Sequence, residues 1–238
     1  MSVSVMLGMS GGVDSTVAAY LLQQQGYDVI GATMRLYCRE GEDPQNGGCS
    51  TLADVEDARR VAEAMGIPHR VLDFTKDFSE HVIQRFIDTY RRGETPNPCI
   101  DCNRYMKFGR MLQYAKDEGI SYIATGHYAR IEQDGSRFYL KKAKDQDKDQ
   151  TYVLYSLTQE QLAHVLFPLG NYQKNEIRRI AEEKNFINAQ KQDSQDICFV
   201  PDGDYASFIE EKTGETFHEG NFIDLEGRVL GRHQGIIR

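Results

Sequence analysis

The residues of this chain best suited to chemistry are a glycine-rich turn and a set of cysteines. The turn lies within "VMLGMSGGVDSTVAAYLL", residues 5–22, between an apolar run and a helical one. A helix that starts near Asp14 would direct its positive end toward an anion held at this turn. Ser10 and Ser15 add hydroxyl donors. Three glycines let backbone amides approach the same anion: Gly8, Gly11 and Gly12. The turn therefore predicts a phosphate-binding loop.

This loop differs from the common phosphate loops. A P-loop requires G-x-x-x-x-G-K-[ST] and a dinucleotide-binding turn requires G-x-G-x-x-G, and residues 5–22 contain neither. The sequence reads S-G-G-V-D-S instead, without a lysine. A tight strand-to-helix turn that binds nothing is the structural alternative. Adjacent glycines flanked by serines, with Asp14 following, favour the ligand-binding interpretation.

The cysteines point to reactive or metal-binding thiols. Their number is odd, and the chain shows no signal peptide, which argues against a disulfide framework. The positions are Cys38, Cys49, Cys99, Cys102 and Cys198. The CxxC at Cys99 and Cys102 could be half of a zinc site or a redox pair, but no second CxxC or HxxxH exists. A third interpretation is a thiolate near the next helix, where helix amides, Arg104 and Lys107 would lower its pKa.

The elements that must position these residues alternate between strand and helix. Runs rich in β-branched and apolar residues predict strands at residues 2–9, 27–37, 69–74 and 121–127. Amphipathic segments predict helices at residues 14–26, 51–66 (with Thr51 as N-cap), 78–93 and 103–118. Strands separated by helices imply right-handed crossovers and a mainly parallel sheet. The fold class is therefore α/β.

The second part of the chain departs from this alternation. Residues 128–143 predict a β-hairpin that turns around Asp134-Gly135. Helix-like segments and a glycine-punctuated β tail follow, at residues 158–169, 173–185, 204–214 and 220–235. Two short strands are marginal alone. We therefore expect a domain boundary near residue 200 and an incomplete second module.

Composition restricts the functional class only weakly. The 238 residues include 40% hydrophobic and 27% charged residues, enough for a core that needs no disulfide or metal. The net charge of −8 taken alone argues against a nucleic-acid partner. Solvated surface charge is the simplest interpretation of most basic clusters, at residues 91–92, 104–110, 141–148 and 174–179. Without a leader or membrane-length segment, the expected location is cytoplasmic, with no membrane partner.

Several motifs in order carry a family resemblance. The chain contains "GMSGGVDS", "TPNPCIDCN" followed by "MKF", "ATGHYAR", "KDQTYVL", "SQDICF" and "EGNFIDLEGRVLGRHQG". Together they closely resemble the tRNA-specific 2-thiouridylase family, MnmA (also called TrmU), of the PP-loop ATP pyrophosphatase superfamily. The resemblance implies a parallel-sheet PP-loop domain, adenine nucleotide alpha hydrolase-like, at residues 1–200. Residues 201–238 would begin a central, β-containing tRNA-binding domain. Family members extend well past Arg238, so we expect a truncated or naturally short form.

The resemblance also implies site residues. The implied ATP contacts are Gly8, Met9, Ser10, Gly11, Gly12, Val13, Asp14, Ser15, Met34 and Gly126. His127 is expected in the same nucleotide pocket. The implied catalytic residues are the nucleophile Cys102 and the persulfide-bearing Cys198. The implied tRNA contacts are Asn97, Pro98 and Cys99 at the target base, and Lys148, Asp149 and Gln150 elsewhere on the tRNA.

The implied reaction has two halves. ATP, with Mg²⁺ near Asp14, adenylates O2 of the wobble uridine in the tRNA anticodon region and releases pyrophosphate. A cysteine desulfurase or sulfur-relay protein loads Cys198 with a persulfide, which delivers sulfur to C2. Cys102 attacks the persulfide, so that AMP and a Cys102–Cys198 disulfide remain, and an external thiol reduces the disulfide.

Three alternatives remain open from the sequence. Position 99 is an aspartate in some family members and a cysteine here, so Cys99, Cys102 and Cys198 could ligate a [4Fe–4S] cluster in a different thiolation mechanism. An amide-forming or amino-acid-activating PP-loop ligase would need neither Cys102 nor Cys198. A non-catalytic tRNA- or metal-binding form would have a vestigial ATP site, against which the intact S-G-G-V-D-S argues.

Overall fold

A parallel sheet lies at the centre of the fold. The structure is a computed structural model that describes residues 2–37, 52–192, 197–200 and 202–237; Cys38, Cys49 and the predicted N-cap Thr51 lie outside these ranges. Its strands are β1 (Ser4–Gly8), β2 (Asp28–Arg35), β3 (His69–Asp73), β4 (Tyr122–Ala124), β5 (Ala129–Asp134), β6 (Arg137–Lys142), β7 (Val165–Leu166), β8 (Gly220–Ile223) and β9 (Val229–His233). The first four strands of the chain confirm the four predicted strands.

The order of the strands reverses at β1. The sheet runs β3-β2-β1-β4-β7, with every neighbouring pair parallel. Strand β1 therefore pairs with β2 on one side and with β4 on the other. In open α/β sheets, ligands bind beyond the carboxyl ends of the strands at this kind of reversal. The loops that follow β1 and β4 are thus the expected walls of a binding site.

Helices cover both faces of the sheet. They are α1 (Val13–Gln24), α2 (Leu52–Ala64), α3 (Thr75–Phe78), α4 (Gln84–Arg91), α5 (Pro98–Asp101), α6 (Leu112–Asp117), α7 (Gln159–Leu162), α8 (Lys174–Glu183) and α9 (Tyr205–Thr213). A π-helical stretch, Ser79–Ile83, joins α3 to α4, and a longer one, Cys102–Met111, joins α5 to α6. A 3₁₀ turn spans Thr151–Val153. Each joined set forms one continuous helical segment, at residues 75–91 and 98–117.

Alternating side chains of β1 pack into two separate hydrophobic cores, one on each face of the sheet. Val5 and Leu7 lie in one core with buried residues of α1, α2 and α8, whereas Met6 lies in the other with the segments at 75–91 and 98–117. Successive side chains of a strand point to opposite faces, and a parallel sheet covered on both sides needs apolar residues on each face. The apolar run before the glycine loop therefore anchors the loop from both sides.

Two sequence predictions were wrong at element boundaries. The helix predicted to start at Asn103 begins at Pro98, because Asn97 accepts a hydrogen bond from the amide of Cys99 at 3.1 Å and caps the helix. The helix predicted at 158–169 is limited to α7, which ends at Leu162. After it, β7 pairs with β4, a tertiary contact that overrides local helical preference.

The remaining elements follow the sequence predictions. The hairpin of β5 and β6 turns at residues 134–137, with Gly135 at a positive φ of 57°. Helices α8 and α9 and the antiparallel pair β8–β9 also lie where the sequence predicted them. Helix α9 buries Phe208 in the same core as Phe86. A domain boundary near residue 200 stays a prediction. Across the described ranges, no helix is long and apolar enough to cross a membrane.

A substitution at Gly170 tests the close packing of residue 170 against the start of β5. A Cβ at this position would lie 1.9 Å from the backbone carbonyl oxygen of Ala129, where β5 begins. We expect Gly170→Ala to lower the free energy of unfolding by about 1–3 kcal/mol, because the backbone must shift to accept the methyl group. Urea unfolding measures the change.

Gly231 supplies the matched control. A Cβ there would meet only the Cδ2 atom of Phe222, at an ordinary contact distance of 3.8 Å. Gly231→Ala is expected to change the unfolding free energy by less than about 1 kcal/mol. Equal stability of Gly170→Ala and the unmodified chain would contradict the close approach of residue 170 to β5.

Candidate active site

The glycine loop connects β1 to α1 in a backbone shape that few residues allow. Gly11 has a φ of 72°, and a Cβ on it would lie 2.7 Å from the carbonyl oxygen of Asp54. Gly12 is the N-cap of α1, and no side chain caps this helix end. Ser15 donates its hydroxyl to the carbonyl of Gly12 at 3.0 Å. The start of α1 is therefore directed, with its amides, at the space beyond β1.

The carboxylate of Asp14 is held by two groups from distant parts of the chain. Lys174 donates from Nζ to both carboxylate oxygens at 2.8 Å, and the hydroxyl of Tyr128 donates to Oδ1 at 2.9 Å. The side chain of Lys174 is only 12% exposed, while that of Asp14 is 30% exposed. Lys174 is the first residue of α8. A lysine is thus present at the loop, although the loop sequence lacks one.

A segment after α8 fixes the loop from its other side. The amide of Asn188 donates to the carbonyl of Gly11 at 3.0 Å and to the hydroxyl of Thr16 at 2.8 Å. Lys191 donates to Asp54 at 2.7 Å and to Asp57 at 2.9 Å. Burial works to lower the pKa of Lys191, but these two hydrogen-bonded carboxylates outweigh it and raise the pKa. Lys191 is therefore a charged partner of α2.

The two CxxC cysteines occupy the beginning of the helical segment at 98–117. Cys99 is exposed in its first turn, and Cys102 is half-buried where the π-helical stretch begins. The carbonyl of Cys99 accepts a hydrogen bond from the buried Asn103 amide at 2.9 Å. Because residues three apart lie on one helix face, both thiols are directed to the same side.

Cys198 is held by its neighbour in the sequence. Phe199 is 2% exposed, and its ring lies 5.2 Å from that of Phe86, 5.3 Å from that of Phe208 and 5.7 Å from that of Phe78, measured between centroids. Cys198 itself is exposed. A buried aromatic anchor next to an exposed thiol fixes the backbone while leaving the sulfur accessible.

Burial determines the protonation of the CxxC thiols. Burial raises the pKa of Cys102 to about 12, against the lowering influence of the Lys107 ammonium group. Desolvation by the surrounding protein also raises the pKa of Cys99, although part of its side chain is exposed, and Lys107 again opposes it. The expectation that helix amides and basic neighbours would lower the cysteine pKa was therefore wrong, because desolvation of a thiolate outweighs one nearby cation. The guanidinium of Arg104 instead lies 5.9 Å from the ring of Tyr105.

His127 is a neutral residue of the site. It is 7% exposed, and burial, followed by the charge of Lys107, lowers its pKa well below the usual value. Its Nε2 lies 3.5 Å from Nζ of Lys107, and its Nδ1 lies 2.7 Å from Oγ1 of Thr125. A protonated lysine can only donate, so Nε2 accepts and the imidazole proton resides on Nδ1, facing Thr125.

Two residues expected to contact tRNA bind the protein's own backbone. Asp149 accepts from the amide of Ala143 at 2.7 Å and from the hydroxyl of Thr151 at 2.5 Å. The Gln150 side chain accepts from the amide of Tyr128 at 3.0 Å. These bonds fix the turn that carries Lys148, whose side chain is exposed. Asp149 and Gln150 therefore position this segment.

One cavity of about 750 Å³ brings most of the predicted site together. Its lining includes the predicted residues Gly8, Met9, Ser10, Gly12, Val13, Asp14, Ser15, Met34, Pro98, Cys99, Cys102, Gly126, His127, Lys148, Gln150 and Cys198. Three predicted site residues do not line it: Gly11, Asn97 and Asp149. Gly11 and Asn97 shape the backbone beside the cavity, and Asp149 holds the adjacent turn.

Asp14 was expected near Mg²⁺, and three cysteines were the candidate ligands of a cluster. Both oxygens of Asp14 accept hydrogen bonds from Lys174, but a carboxylate oxygen has two lone pairs, so these bonds still allow Asp14 to bind Mg²⁺. In the part of the chain that the structure describes, no group of three or more His, Cys, Asp or Glu side chains is arranged to hold a metal ion. Cys99, Cys102 and Cys198 line the same cavity, and a [4Fe–4S] cluster on them stays a prediction.

Comparison with known proteins decides the family. A family model described as "tRNA methyl transferase HUP domain" matches residues 3–202. The chain is 53% identical over 239 residues to the tRNA-specific 2-thiouridylase MnmA of Clostridioides difficile (strain 630), covering 100% of this chain and 66% of that protein. The chain belongs to the tRNA-specific 2-thiouridylase family. The MnmA of Clostridium acetobutylicum is 52% identical over 238 residues, covering 100% of this chain and 67% of that protein. The chain thus spans about two thirds of the length of these relatives.

Solved structures confirm the predicted fold. A 4-thiouridine synthetase in complex with RNA and ATP is 20% identical with a TM-score of 0.54, over 89% of this chain and 50% of that one. The U34-tRNA thiolase NcsA from Methanococcus maripaludis, described with its [4Fe-4S] cluster, is 18% identical with a TM-score of 0.51, over 90% of this chain and 66% of that one. At these identities the likeness concerns the fold alone, which is the parallel-sheet PP-loop fold expected for this family.

Sequence reasoning missed the basic residues that surround the loop. Lys174 was counted in the cluster at 174–179 and interpreted as solvated surface charge, yet it is nearly buried on Asp14. Lys191 and Asn188 carried no sequence signal, because their partners lie more than 130 residues away. For Lys174, the available signal was its place in the first turn of a helix, where a cation is unfavourable unless an anion faces it.

The high pKa of Cys102 gives a testable pH dependence. Only the thiolate reacts with iodoacetamide, so its alkylation rate should rise about tenfold per pH unit between pH 7 and 10 without reaching a plateau. Lys107→Met should slow the reaction further at each pH, because it removes the charge that lowers the pKa. Peptide-level mass spectrometry follows Cys102 separately from the other cysteines.

The chain unfolded in urea is the reference for this measurement. There Cys102 should have an ordinary cysteine pKa of about 8.5, and its alkylation rate should level off near pH 9.5. A plateau at the same pH in the folded chain would refute burial as the controlling influence on this thiol.

Proposed function

We propose that this chain is the ATP-dependent catalytic part of a tRNA 2-thiouridylase, which converts the wobble uridine of tRNA to 2-thiouridine. The observation that carries the proposal is that one cavity is lined by the S-G-G-V-D-S loop, by Cys102 and by Cys198. The loop supplies an anion site and the cysteines supply a pair of thiols. Relatives with 52–53% identity that are named for this activity support the same assignment.

The first half-reaction uses the loop as a site for the leaving group. The amides at the start of α1, including that of Ser15, and the hydroxyl of Ser10 bind the β- and γ-phosphates of ATP, while the Ser15 hydroxyl holds the loop by donating to the carbonyl of Gly12. Attack by O2 of the uridine at the α-phosphorus then forms the O–P bond and releases pyrophosphate. Gly126 packs against the loop, since a Cβ there would lie 3.2 Å from the amide nitrogen of Ser15. Met34 and Gly126 complete the nucleotide site.

The second half-reaction moves one sulfur atom. The terminal sulfur of a Cys198 persulfide forms a bond to C2 of the adenylated uridine, and AMP leaves with the electron pair of the C2–O bond. The S–S bond of the persulfide breaks as the Cys102 sulfur, having lost its proton, bonds to the Cys198 sulfur. An external thiol later reduces this disulfide. Lys107 is the cation that stabilises the Cys102 thiolate.

The RNA side of the proposal assigns different roles to the predicted contacts. Cys99 is exposed at the cavity and faces the target base, while Asn97 and Pro98 form the start of the helix that carries it. Lys148 is exposed at the cavity edge and suits a phosphate of the tRNA. Asp149 and Gln150 act by fixing the turn around Lys148. The positive charge of Lys148 at the cavity allows local tRNA binding even though the net charge of the chain is −8.

The proposal includes partners and conditions that follow from the chemistry. The persulfide sulfur comes from a cysteine desulfurase or a sulfur-relay protein that reaches the exposed Cys198. ATP enters as its Mg²⁺ complex, and the reaction takes place in the cytoplasm. Residues 1–200 constitute the ATP-binding catalytic domain, and residues 201–238 begin the central tRNA-binding domain.

A reconstituted assay tests this function. The chain is incubated with ATP, Mg²⁺, a cysteine desulfurase with cysteine, and unmodified tRNA, and nucleosides are analysed for 2-thiouridine while AMP is quantified. Cys102→Ser and Cys198→Ser should each lower 2-thiouridine formation at least about 100-fold, because each removes one partner of the sulfur step. Release of pyrophosphate in the presence of tRNA should persist in both variants.

Cys99→Ser separates the persulfide mechanism from the cluster alternative. In the persulfide mechanism this variant uses tRNA less well but still forms 2-thiouridine, whereas a three-cysteine cluster would make it as inactive as Cys102→Ser. Pyrophosphate release that depends on a carboxylic acid instead of tRNA would indicate the ligase alternative. Binding of tRNA without AMP or 2-thiouridine would indicate a non-catalytic form.

A further inference from the structure

The loop of this chain lacks a lysine, yet a lysine ammonium lies against it. Lys174, which is 160 residues from Asp14 in the sequence, places Nζ 2.8 Å from both oxygens of the Asp14 carboxylate. Both side chains line the same cavity as the glycines of the loop. The ammonium group therefore lies where a phosphate bound at the start of α1 would meet it.

The surroundings of Lys174 hold its ammonium group in place. The Tyr128 hydroxyl shares the carboxylate with it at 2.9 Å, and the ammonium lies 5.8 Å from the centre of the Tyr128 ring. The backbone amide of Lys174 donates to Asp145 at 2.8 Å, which fixes the first turn of α8. With only 12% of its side chain exposed, Lys174 has little freedom to extend into solvent. A flexible surface lysine would show none of these constraints.

The charges that line the cavity indicate why a lysine at position 174 would matter for phosphate binding. Asp14 lies in the first turn of α1, where the helix dipole favours a carboxylate. A triphosphate entering the cavity would face the Asp14 carboxylate, and amides alone offer it only partial charges. A lysine acts on phosphate as a compact full charge.

We propose that Lys174 is the phosphate-binding lysine of this loop, supplied by α8 instead of by the loop sequence. When ATP binds, the ammonium contacts oxygens of the pyrophosphate moiety and neutralises part of the charge that develops as pyrophosphate leaves. Asp14 is its partner in the nucleotide-free arrangement. The inference rests on the proposed function in that it takes the cavity to be the ATP site.

Binding of inorganic pyrophosphate, ATP and adenosine, each measured by calorimetry, tests the inference. Lys174→Met should weaken pyrophosphate and ATP binding at least about tenfold, because a full charge is lost from the phosphate site. Adenosine binding should change less than about twofold, since adenosine lacks the phosphates. Lys174→Arg keeps the charge and should retain most of the pyrophosphate affinity. Lys144→Met is the matched control, because Lys144 is 49% exposed and pairs with Glu176 of the same helix.

A double variant separates phosphate binding from simple neutralisation of Asp14. Removing Lys174 leaves the half-buried Asp14 carboxylate without this cation, and that carboxylate would repel phosphate by itself. If Lys174 only neutralised Asp14, Asp14→Asn combined with Lys174→Met would restore pyrophosphate binding. The inference expects no restoration, and restoration would overturn it, as would unchanged pyrophosphate binding by Lys174→Met. Failure of the unmodified chain to bind ATP would instead overturn the proposed function together with this inference. Urea unfolding of each variant verifies that it is folded.

Discussion

The pairing of β1 on both sides is the constraint on which the site depends. Its hydrogen bonds to β2 and to β4 make the chain cross from one half of the sheet to the other, so α1 and α2 cover one face and the segments at 75–91 and 98–117 cover the opposite face. The loops after β1 and β4 consequently diverge and leave a space between them. Gly8 and Gly12 of one loop and Gly126 of the other line that space, and Gly126 lets the two loops approach closely.

The part of the chain after β7 returns to this space and completes it. Lys174 and Asn188 contact the loop itself, and Lys191 contacts α2 where α2 packs under Gly11. Farther on, Phe199 enters the aromatic core of the opposite sheet face and holds Cys198 at the cavity. The glycine loop and the exposed thiol are therefore both held by neighbouring stretches of the same part of the chain. A chain that ended after β7 would keep the glycine loop but would lack both its cation and this sulfur.

The sequence predicted those features whose cause is local. Glycines and serines at one turn, apolar alternation in β1 and the hairpin at Gly135 each reflect the chemistry of a few adjacent residues. The start of α5 also has a local cause, because Asn97 followed by Pro98 is a typical N-cap and first-turn pattern. Prediction from the sequence nevertheless missed this helix start. Strand β7 could not be predicted from the sequence, because its two residues form a strand only by pairing with β4. For Lys174, the local signal was only a cation in the first turn of a helix, and its partner Asp14, 160 residues away, could not be identified from either stretch.

The protonation state of Cys102 could not be predicted from the residues that neighbour it in the sequence. Lys107 follows Cys102 by five residues and does lower its pKa, but burial acts in the opposite direction and is larger. At rest Cys102 is therefore a thiol, which resists oxidation and alkylation. A thiolate of high pKa is also the more nucleophilic one once formed. Lys107 faces the neutral imidazole of His127, and because this partner carries no negative charge, the ammonium charge remains available to Cys102. Burial and the nearby Lys107 ammonium together describe a cysteine that is protonated at rest and has a cation beside it to stabilise its thiolate.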